Sequence, residues 1–142
     1  MRDTRLSDVL HVLMHMAQVD EPLTSEVLAR SMGTNPAVFR RTMAGLRDAG
    51  YVVSGKGHGG GWRLSQPLTE LTLLDIYNAL NRPTLFAIGN RDENPHCRVQ
   101  KNVNAALSDT LAQAEALFID RFGQVTLDQL APGKRENLAQ HC

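Results

Sequence analysis

The sequence predicts a mainly α-helical fold with a small β-hairpin, namely a winged helix-turn-helix followed by one long dimerisation helix. Residues 24–49 have the pattern of two short helices joined by a tight turn. Two short β-prone runs then flank the glycine-rich segment 55–61, which predicts a hairpin with an open tip. Apolar residues finally recur every three or four positions from 99 to 122. A hairpin directly after a helix-turn-helix is a wing, so the first two observations support each other.

The composition is that of one globular chain. The 142 residues correspond to about one domain, and 42% of them are hydrophobic, so the chain can bury a core. Two cysteines are too few for a disulfide framework, and no apolar run is long enough to span a membrane. Polar residues interrupt the first apolar segment, so we expect no signal peptide and a cytoplasmic location. Membrane proteins, secreted mini-proteins and long disordered chains are therefore excluded.

The formal net charge of zero conceals an uneven distribution. Residues 1–29 carry a net charge of −3 and residues 67–142 a net charge of −2. Residues 30–66 contain six basic residues and one acidic residue, a net charge of +5. One basic segment in a neutral protein is typical of a localised phosphate-binding face. Charge alone favours the alternative, a solvated surface with scattered arginines, because the excess of positive charge is modest. The motifs must therefore decide.

The first three helices are predicted from apolar spacing and from end signals. Residues 4–18 place apolar side chains along one helical stripe. Thr24 is a predicted N-cap for a second helix that ends at Gly33. Asn35, followed by a proline, starts a third helix that Gly50 ends.

The wing and a fourth helix follow. Residues 51–53 and 62–64 are the predicted strands of the wing. Trp62 is expected to pack between the wing and the body rather than to stack on a base. Residues 71–81 are a predicted helix that packs on the first helix, and residues 81–94 are a predicted loop.

The long helix is a predicted dimerisation element. Asn94 and Pro95 repeat the cap-and-proline start, and the apolar stripe continues to about residue 122. Such a long stripe needs a partner, and pairing with the same helix of a second subunit is the simplest arrangement. A short element at 125–130 follows. The predicted homodimer interface comprises Val99, Val103, Leu107, Leu111 and Phe118.

Helical geometry predicts which residues contact DNA. With Phe39 pointing inward, Ala37 and Arg41 point outward and Arg40 lies to the side. All three are near the amino-terminal end of the third helix, and in this motif that end enters the major groove. Arginine can form two hydrogen bonds to guanine, and a lysine at the wing tip reaches phosphates or the minor groove. Solvation of a surface is the alternative role for the two arginines. The predicted DNA-binding residues are Thr24, Ser25, Asn35, Ala37, Arg40, Arg41, Lys56, His58 and Gly59.

The chain thus divides into four predicted parts. Residues 1–80 are a DNA-binding domain, residues 81–96 a sensor or effector loop, residues 97–130 the dimerisation helix with a C-terminal element, and residues 131–142 a flexible tail. The predicted partners are a double-stranded DNA operator and a second copy of the chain, with no membrane.

Six runs along the chain together have a recognisable pattern: TSEVLA at 24–29, NPAVF at 35–39, LRDAGYV at 46–52, GHGGGWRL at 57–64, LTLLDI at 71–76 and VTLDQL at 125–130. Through these runs the chain resembles the IscR/NsrR/CymR family of bacterial winged-helix transcription regulators over about residues 1–130. The resemblance implies a homodimer that crosses at the long helix and binds a partly palindromic operator, usually to repress. It also implies that the start of the third helix and a basic wing residue read DNA, in agreement with the geometry above.

The chain departs from the cluster-binding members of that family. Those members hold an iron–sulfur cluster with three cysteines before and at the start of the long helix, and here only Cys97 matches, at the last position. A cluster needs about four protein ligands, mostly thiolates, so we expect no cofactor. A cluster held across a dimer by Cys97 and His96 of both subunits is the less favoured alternative.

Cys97 and two histidines have open interpretations. Cys97 is the third residue of the predicted long helix, beside Arg98, where the helix dipole favours the thiolate form. Cys97 is therefore a candidate redox sensor, and Cys142 could reach it. An inert cysteine that merely packs is the simpler interpretation. His11 and His15 have the i, i+4 spacing of a metal pair. No third ligand is evident, so surface histidines without a metal are favoured.

The favoured function is a sequence-specific transcriptional regulator, acting as a repressor and modulated by oxidation of Cys97. The alternative is a winged-helix protein-interaction module that does not bind DNA, and the retained Arg40, Arg41 and Lys56 argue against it. An enzyme is disfavoured because the sequence has no phosphate-binding glycine loop opening a helix, no clustered carboxylate pair and no Ser-His-Asp constellation.

Overall fold

The computed structural model describes residues 2–57 and 59–131, so His58, Cys142 and residues 132–142 of the predicted tail lie outside it. The described chain contains five α-helices and a two-stranded antiparallel hairpin, which is the mainly helical winged fold that the sequence predicts. Short 3-10 helices cover Leu68–Glu70 and Leu127–Leu130. The α-helices and strands are α1 (Arg5–Ala17), α2 (Ser25–Met32), α3 (Pro36–Asp48), β1 (Val52–Ser54), β2 (Trp62–Leu64), α4 (Leu73–Ala79) and α5 (Arg98–Gln124).

Helix α1 lies at the centre of the core, where it contacts α2, β2 and α4. Its Leu13 is completely buried, as are Phe39, Met43 and Leu46 of α3. The three α3 residues are spaced at i, i+4 and i+7, so they occupy one face of the helix. The opposite face of α3 is therefore left to the solvent, which is the condition for it to contact DNA.

The ends of α2 and α3 confirm the predicted capping residues. The Thr24 Oγ1 accepts a hydrogen bond from the Val27 amide at 3.2 Å, and the Asn35 Oδ1 accepts one from the Val38 amide at 3.0 Å. Each bond satisfies an amide that has no partner inside the helix. Gly33 ends α2 with a φ of 73°, a left-handed conformation that favours glycine. The short turn of the helix-turn-helix is thus determined locally.

The first wing strand begins one residue later than predicted. Gly50, with a φ of 83°, terminates α3, and its amide donates to the Arg47 carbonyl at 3.0 Å. The Tyr51 amide donates to the Leu46 carbonyl at 2.9 Å. This pair of bonds is the Schellman motif that closes many helices. Tyr51 belongs to the helix end for this reason, and the strand starts at Val52.

The predicted start of the long helix is wrong by three residues. Helix α5 begins at Arg98, and Cys97 is its N-cap rather than its third residue. The Asp92 side chain accepts a hydrogen bond from the Asn94 amide at 3.0 Å, and the Asp92 carbonyl accepts one from Asn104 of α5 at 2.6 Å. These two bonds hold the Asn-Pro segment as a loop along α5, so it does not become the first turn of the helix.

The C-terminal end of α5 is attached to the body of the domain. Thr126 forms an isolated β-bridge with Thr72, at the beginning of α4. The Leu127 amide donates to the Leu71 carbonyl at 2.8 Å, and both leucine side chains are fully buried. The chain after α5 therefore anchors the helix at this end, as the predicted element at 125–130 requires.

Gly45 allows α3 and α4 to approach each other closely. A Cβ atom added at Gly45 would overlap the carbonyl oxygen of Ala79, which is backbone and cannot rotate away. Glycine inside a helix costs about 0.5–1 kcal/mol relative to alanine. The close helix crossing gives the physical reason for this residue.

We expect Gly45→Ala to destabilise the protein by about 1–3 kcal/mol, because the overlap with Ala79 outweighs the gain in helix propensity. Gly123→Ala in α5 is the matched control, since its Cβ would meet only the Leu74 side chain at an ordinary 3.5 Å. Denaturant unfolding should show a lower midpoint for the first variant and an equal or higher one for the second. Equal midpoints for both variants would contradict the close crossing.

Candidate nucleic-acid interface

The exposed face of α3 carries the predicted recognition residues. Ala37, Arg40 and Arg41 are all exposed. The side chain of Asn35 is held as the N-cap, which confirms its interpretation as a cap. The amino-terminal end of α3 therefore presents one small residue and two cations to the solvent.

Trp62 anchors the wing to the helix-turn-helix. Its side chain is buried, and its indole Nε1–H donates a hydrogen bond to the Ser25 Oγ at 2.9 Å. The indole also meets the Phe39 ring edge to face, with 5.5 Å between the centroids. Both contacts lie between the wing and the body, so the predicted packing role of Trp62 is confirmed. Ser25 accepts this bond, which leaves its own hydroxyl hydrogen to donate elsewhere.

A backbone ladder gives the wing a second attachment. Leu23 and Trp62 exchange two amide-to-carbonyl hydrogen bonds of 3.0 and 2.7 Å. Gly61 lies beside this pair with a φ of 147°, and an added Cβ would stand 2.7 Å from the Leu23 carbonyl oxygen. Only glycine fits such a conformation at this distance. The segment before α2 thus acts as a short third strand against the wing.

A cleft of about 450 Å³ separates the wing from the helix-turn-helix. It brings together four of the predicted DNA-binding residues, Thr24, Ser25, Arg40 and Lys56. The complete lining is Thr24, Ser25, Glu26, Arg40, Arg47, Ser54, Gly55, Lys56, Gly57, Gly60, Gly61 and Trp62.

Arg47 also lines the cleft, although it was not among the DNA-binding residues predicted from the sequence. Its guanidinium carbon lies 6.0 Å from the centroid of the Trp62 ring, at the limit of a cation–π contact. The signal was present in the sequence, because Arg40 and Arg47 are seven residues apart and share one helix face. The position of the wing determines that this face, rather than the one opposite Phe39, borders the cleft.

The cations of the cleft are not neutralised by acidic side chains. In the part of the chain that the structure describes, the only ion pair within 4.0 Å joins Arg5 to Asp3, and neither residue lines the cleft. Glu26 lines the cleft but forms no such pair with Arg40, Arg47 or Lys56. The cleft therefore carries an excess of positive charge at an open surface, which favours binding of phosphate groups.

The remaining predicted residues lie elsewhere. Arg41 lines a different depression, of about 230 Å³, together with Arg5 and Asn81. Gly59 is exposed at the wing tip. A turn of 100° per residue separates neighbours on a helix, which explains why Arg40 and Arg41 face different surfaces.

The predicted dimerisation face is uncovered along much of α5. Val99 is 69% exposed, Val103 42% and Leu107 36%, whereas Leu111 is partly covered. Phe118 meets Phe86 edge to face at 5.7 Å, so the far end of the stripe packs partly on the loop of the same chain.

The family model of Rrf2, described as an iron-dependent transcriptional regulator, matches residues 2–133. The "Putative HTH-type transcriptional regulator YwnA" of Bacillus subtilis (strain 168) is 33% identical over 116 residues, covering 81% of this chain and 85% of YwnA. Two solved structures share the fold. CymR, the global cysteine regulator of B. subtilis, has a TM-score of 0.59 and 21% identity, covering 92% of this chain and 95% of CymR. IscR of T. potens has a TM-score of 0.62 and 17% identity, covering 100% and 96%.

Fold, cationic cleft and relatives together define a transcriptional regulator of the winged-helix class and not an enzyme. The chain belongs to the Rrf2 family. Among the described residues, none of the helices combines the length and apolar character needed to cross a membrane.

Within the described part of one chain, the residues do not fit the iron–sulfur cluster that the family resemblance raises. Cys97 is exposed at the N-cap of α5, and the sequence contains one other cysteine, Cys142. Within residues 2–57 and 59–131, no three His, Cys, Asp or Glu side chains are grouped closely enough to share one metal ion. A cluster with about four protein ligands has no such donor set within the described part of one chain.

We expect Gly61→Ala to detach the wing from the segment before α2, because the new Cβ would collide with the Leu23 carbonyl. Native-state hydrogen exchange should then show faster exchange of the Leu23 and Trp62 amides. Gly55→Ala serves as the control, since its Cβ would meet only the Gly60 Cα at 3.7 Å. Unchanged protection of both amides in Gly61→Ala would contradict the proposed attachment.

Proposed function

We propose that the protein is a homodimeric repressor that binds a partly palindromic operator. The observation that carries this proposal is the open cleft in which Arg40, Arg47 and Lys56 have no acidic partner. A polyanion bound in this cleft, between α3 on one side and the wing on the other, would supply the missing counter-charges. Duplex DNA has the required charge density, with about one negative charge per 1.7 Å of helix axis.

The residues of the cleft divide into two proposed roles. Arg40, near the amino-terminal end of α3, would enter the major groove and bind a base edge there. Ala37 would allow this end of the helix to approach closely. Lys56 and the hydroxyls of Thr24 and Ser25 would contact phosphates and set the register of the protein on the duplex. Arg41 and Gly59 do not line the cleft. Their contacts to DNA, which for Arg41 include a base contact in the major groove, stay sequence-based predictions.

The proposed dimer forms through α5. Its exposed face carries Val99, Val103 and Leu107 along successive turns, and single exposed apolar residues are common whereas a continuous helical stripe is not. A second copy of α5 would bury this stripe on both chains. Two winged heads related by a two-fold axis would then meet half-sites about one helical turn of DNA apart, which is why the operator is expected to be palindromic.

A regulatory role for Cys97 remains a sequence-based prediction. The thiol is exposed at the N-cap of α5, so an oxidant in solution can reach it. Its position between the loop and the proposed dimerisation helix supports a link between oxidation and DNA binding, whereas the inert interpretation requires no such link.

We expect Arg40→Ala to weaken binding to the preferred DNA sequence by about 1–3 kcal/mol and to change binding to random DNA much less. Lys56→Ala should weaken binding to both and reduce the slope of log K against log salt by about 1. Fluorescence anisotropy at several salt concentrations measures both, with a duplex that the purified protein selects from a genomic pool.

Arg121→Ala on α5 is the matched control for the loss of one positive charge and should leave both affinities unchanged. Wild-type protein that binds duplex DNA without a salt slope and without sequence preference would contradict the proposal. That result would favour a protein-interaction module instead.

The double variant Val103→Asp/Leu107→Asp should be monomeric, because it places charges in the proposed apolar interface. Ala105→Asp is the control, since residue 105 lies on the opposite face of α5. Sedimentation equilibrium should give twice the chain mass for the wild type and the control, and the chain mass for the double variant. A monomeric wild type would overturn the dimer.

A further inference from the structure

We propose that His11 and His15 of α1 form a binding site for a divalent transition-metal ion, with Ni²⁺ or Cu²⁺ preferred over Zn²⁺. From the sequence alone, His11 and His15 are expected to be two surface histidines without a metal. The structure instead half-buries both side chains and turns their Nε2 atoms toward each other. Neither histidine lines the cleft between the wing and the helix-turn-helix.

The distance between the two nitrogen atoms fits a chelate. The Nε2 atoms are 3.0 Å apart, whereas the ring centroids are 4.5 Å apart, so the Nε2 edges are the parts of the rings that converge. A metal ion at the usual distance of about 2.0–2.1 Å from both nitrogens would subtend an N–metal–N angle of about 94°. That angle is close to the right angle between neighbouring ligands in square-planar and octahedral sites and smaller than the tetrahedral angle that Zn²⁺ prefers.

A metal ion binds an imidazole ring through a nitrogen that carries no proton. A metal ion would take the place of the hydrogen now shared between the two Nε2 atoms, with each ring carrying its proton on Nδ1.

The backbone under the site is already rigid. Val9, Val12 and Leu13 of the same helix are fully buried, so the turn that separates the two histidines is held by the core. A site on such a helix needs little reorganisation to bind its ion. The carboxylate of Asp8, which lies about one turn before His11, accepts a hydrogen bond from the Thr4 hydroxyl at 2.8 Å and is therefore already engaged.

Water completes the coordination in this proposal. Within the described residues no third His, Cys, Asp or Glu joins the pair in a metal-binding group. Two imidazole ligands with water suit the six-coordinate or tetragonal geometries of Ni²⁺ and Cu²⁺.

The test is a calorimetric titration of the full chain, freed of metal by a chelator, with NiCl₂ and with ZnCl₂ at neutral pH. We expect one Ni²⁺ per chain, bound more tightly than Zn²⁺. His11→Gln and His15→Gln should each weaken Ni²⁺ binding by about tenfold or more. Loss of a group that only hydrogen-bonds to a metal ligand already weakens binding by about tenfold, and loss of a ligand itself should cost at least as much. His96→Gln, beside Cys97, is the matched control and should bind as the wild type does.

A second measurement needs no variant. Paramagnetic Ni²⁺ should broaden the ring proton signals of His11 and His15 in NMR spectra before it affects those of His96. The proposal is overturned if His96→Gln abolishes binding, if His11→Gln and His15→Gln bind as the wild type does, or if the signals of His11 and His15 stay sharp at one equivalent. None of these readouts involves DNA, so they are independent of the proposed operator binding.

Discussion

The hydrogen bond from the Trp62 indole to Ser25 is the contact on which the arrangement of the DNA-facing surface depends. A glycine-rich hairpin of three-residue strands has little stability of its own. Trp62 places its ring against Phe39 of α3 and its Nε1–H on the first residue of α2, so one side chain joins the wing to both helices of the helix-turn-helix. Such a bond contributes about 0.5–1.5 kcal/mol, and the aromatic contact a similar amount. These contacts fix the position of the wing beside α2 and α3, and so define the cleft that Trp62 lines.

Two parts of the surface are incomplete in different ways. The cations of the cleft have no ion-pair partner among the described residues, and α5 carries an apolar stripe on which Val99, Val103 and Leu107 are left exposed by the described part of the chain. Each has a natural complement of opposite character, a polyanion for the first and an identical helix for the second. The attachment of α5 to the domain, through Leu127 and the bridge between Thr72 and Thr126, would connect the geometry of the dimer to that of the operator.

Local signals predicted most of the elements and failed where distant residues competed with them. Thr24, Asn35, Gly33 and Gly50 act as helix ends because their effects involve only their immediate neighbours. The same reasoning misplaced the start of α5, because hydrogen bonds between the loop and a later turn of the helix hold the Asn-Pro pair outside it.

The candidate interface likewise contains residues that local signals predicted and a residue that they missed. Arg40 and Lys56 were predicted from their types and positions, whereas Arg47 entered the cleft only once the wing was placed.

The sequence by itself determined the order of the helices, their caps, the wing and the basic segment, because these follow from apolar periodicity, capping chemistry and charge along the chain. The tertiary structure decided which cations share one cleft, why Gly45 and Gly61 must be glycine, where α5 begins, and that the Nε2 atoms of His11 and His15 converge. Those features depend on distances between groups that chain spacing leaves open. Backbone approach and side-chain rotamers are set by packing, and only the folded chain specifies them.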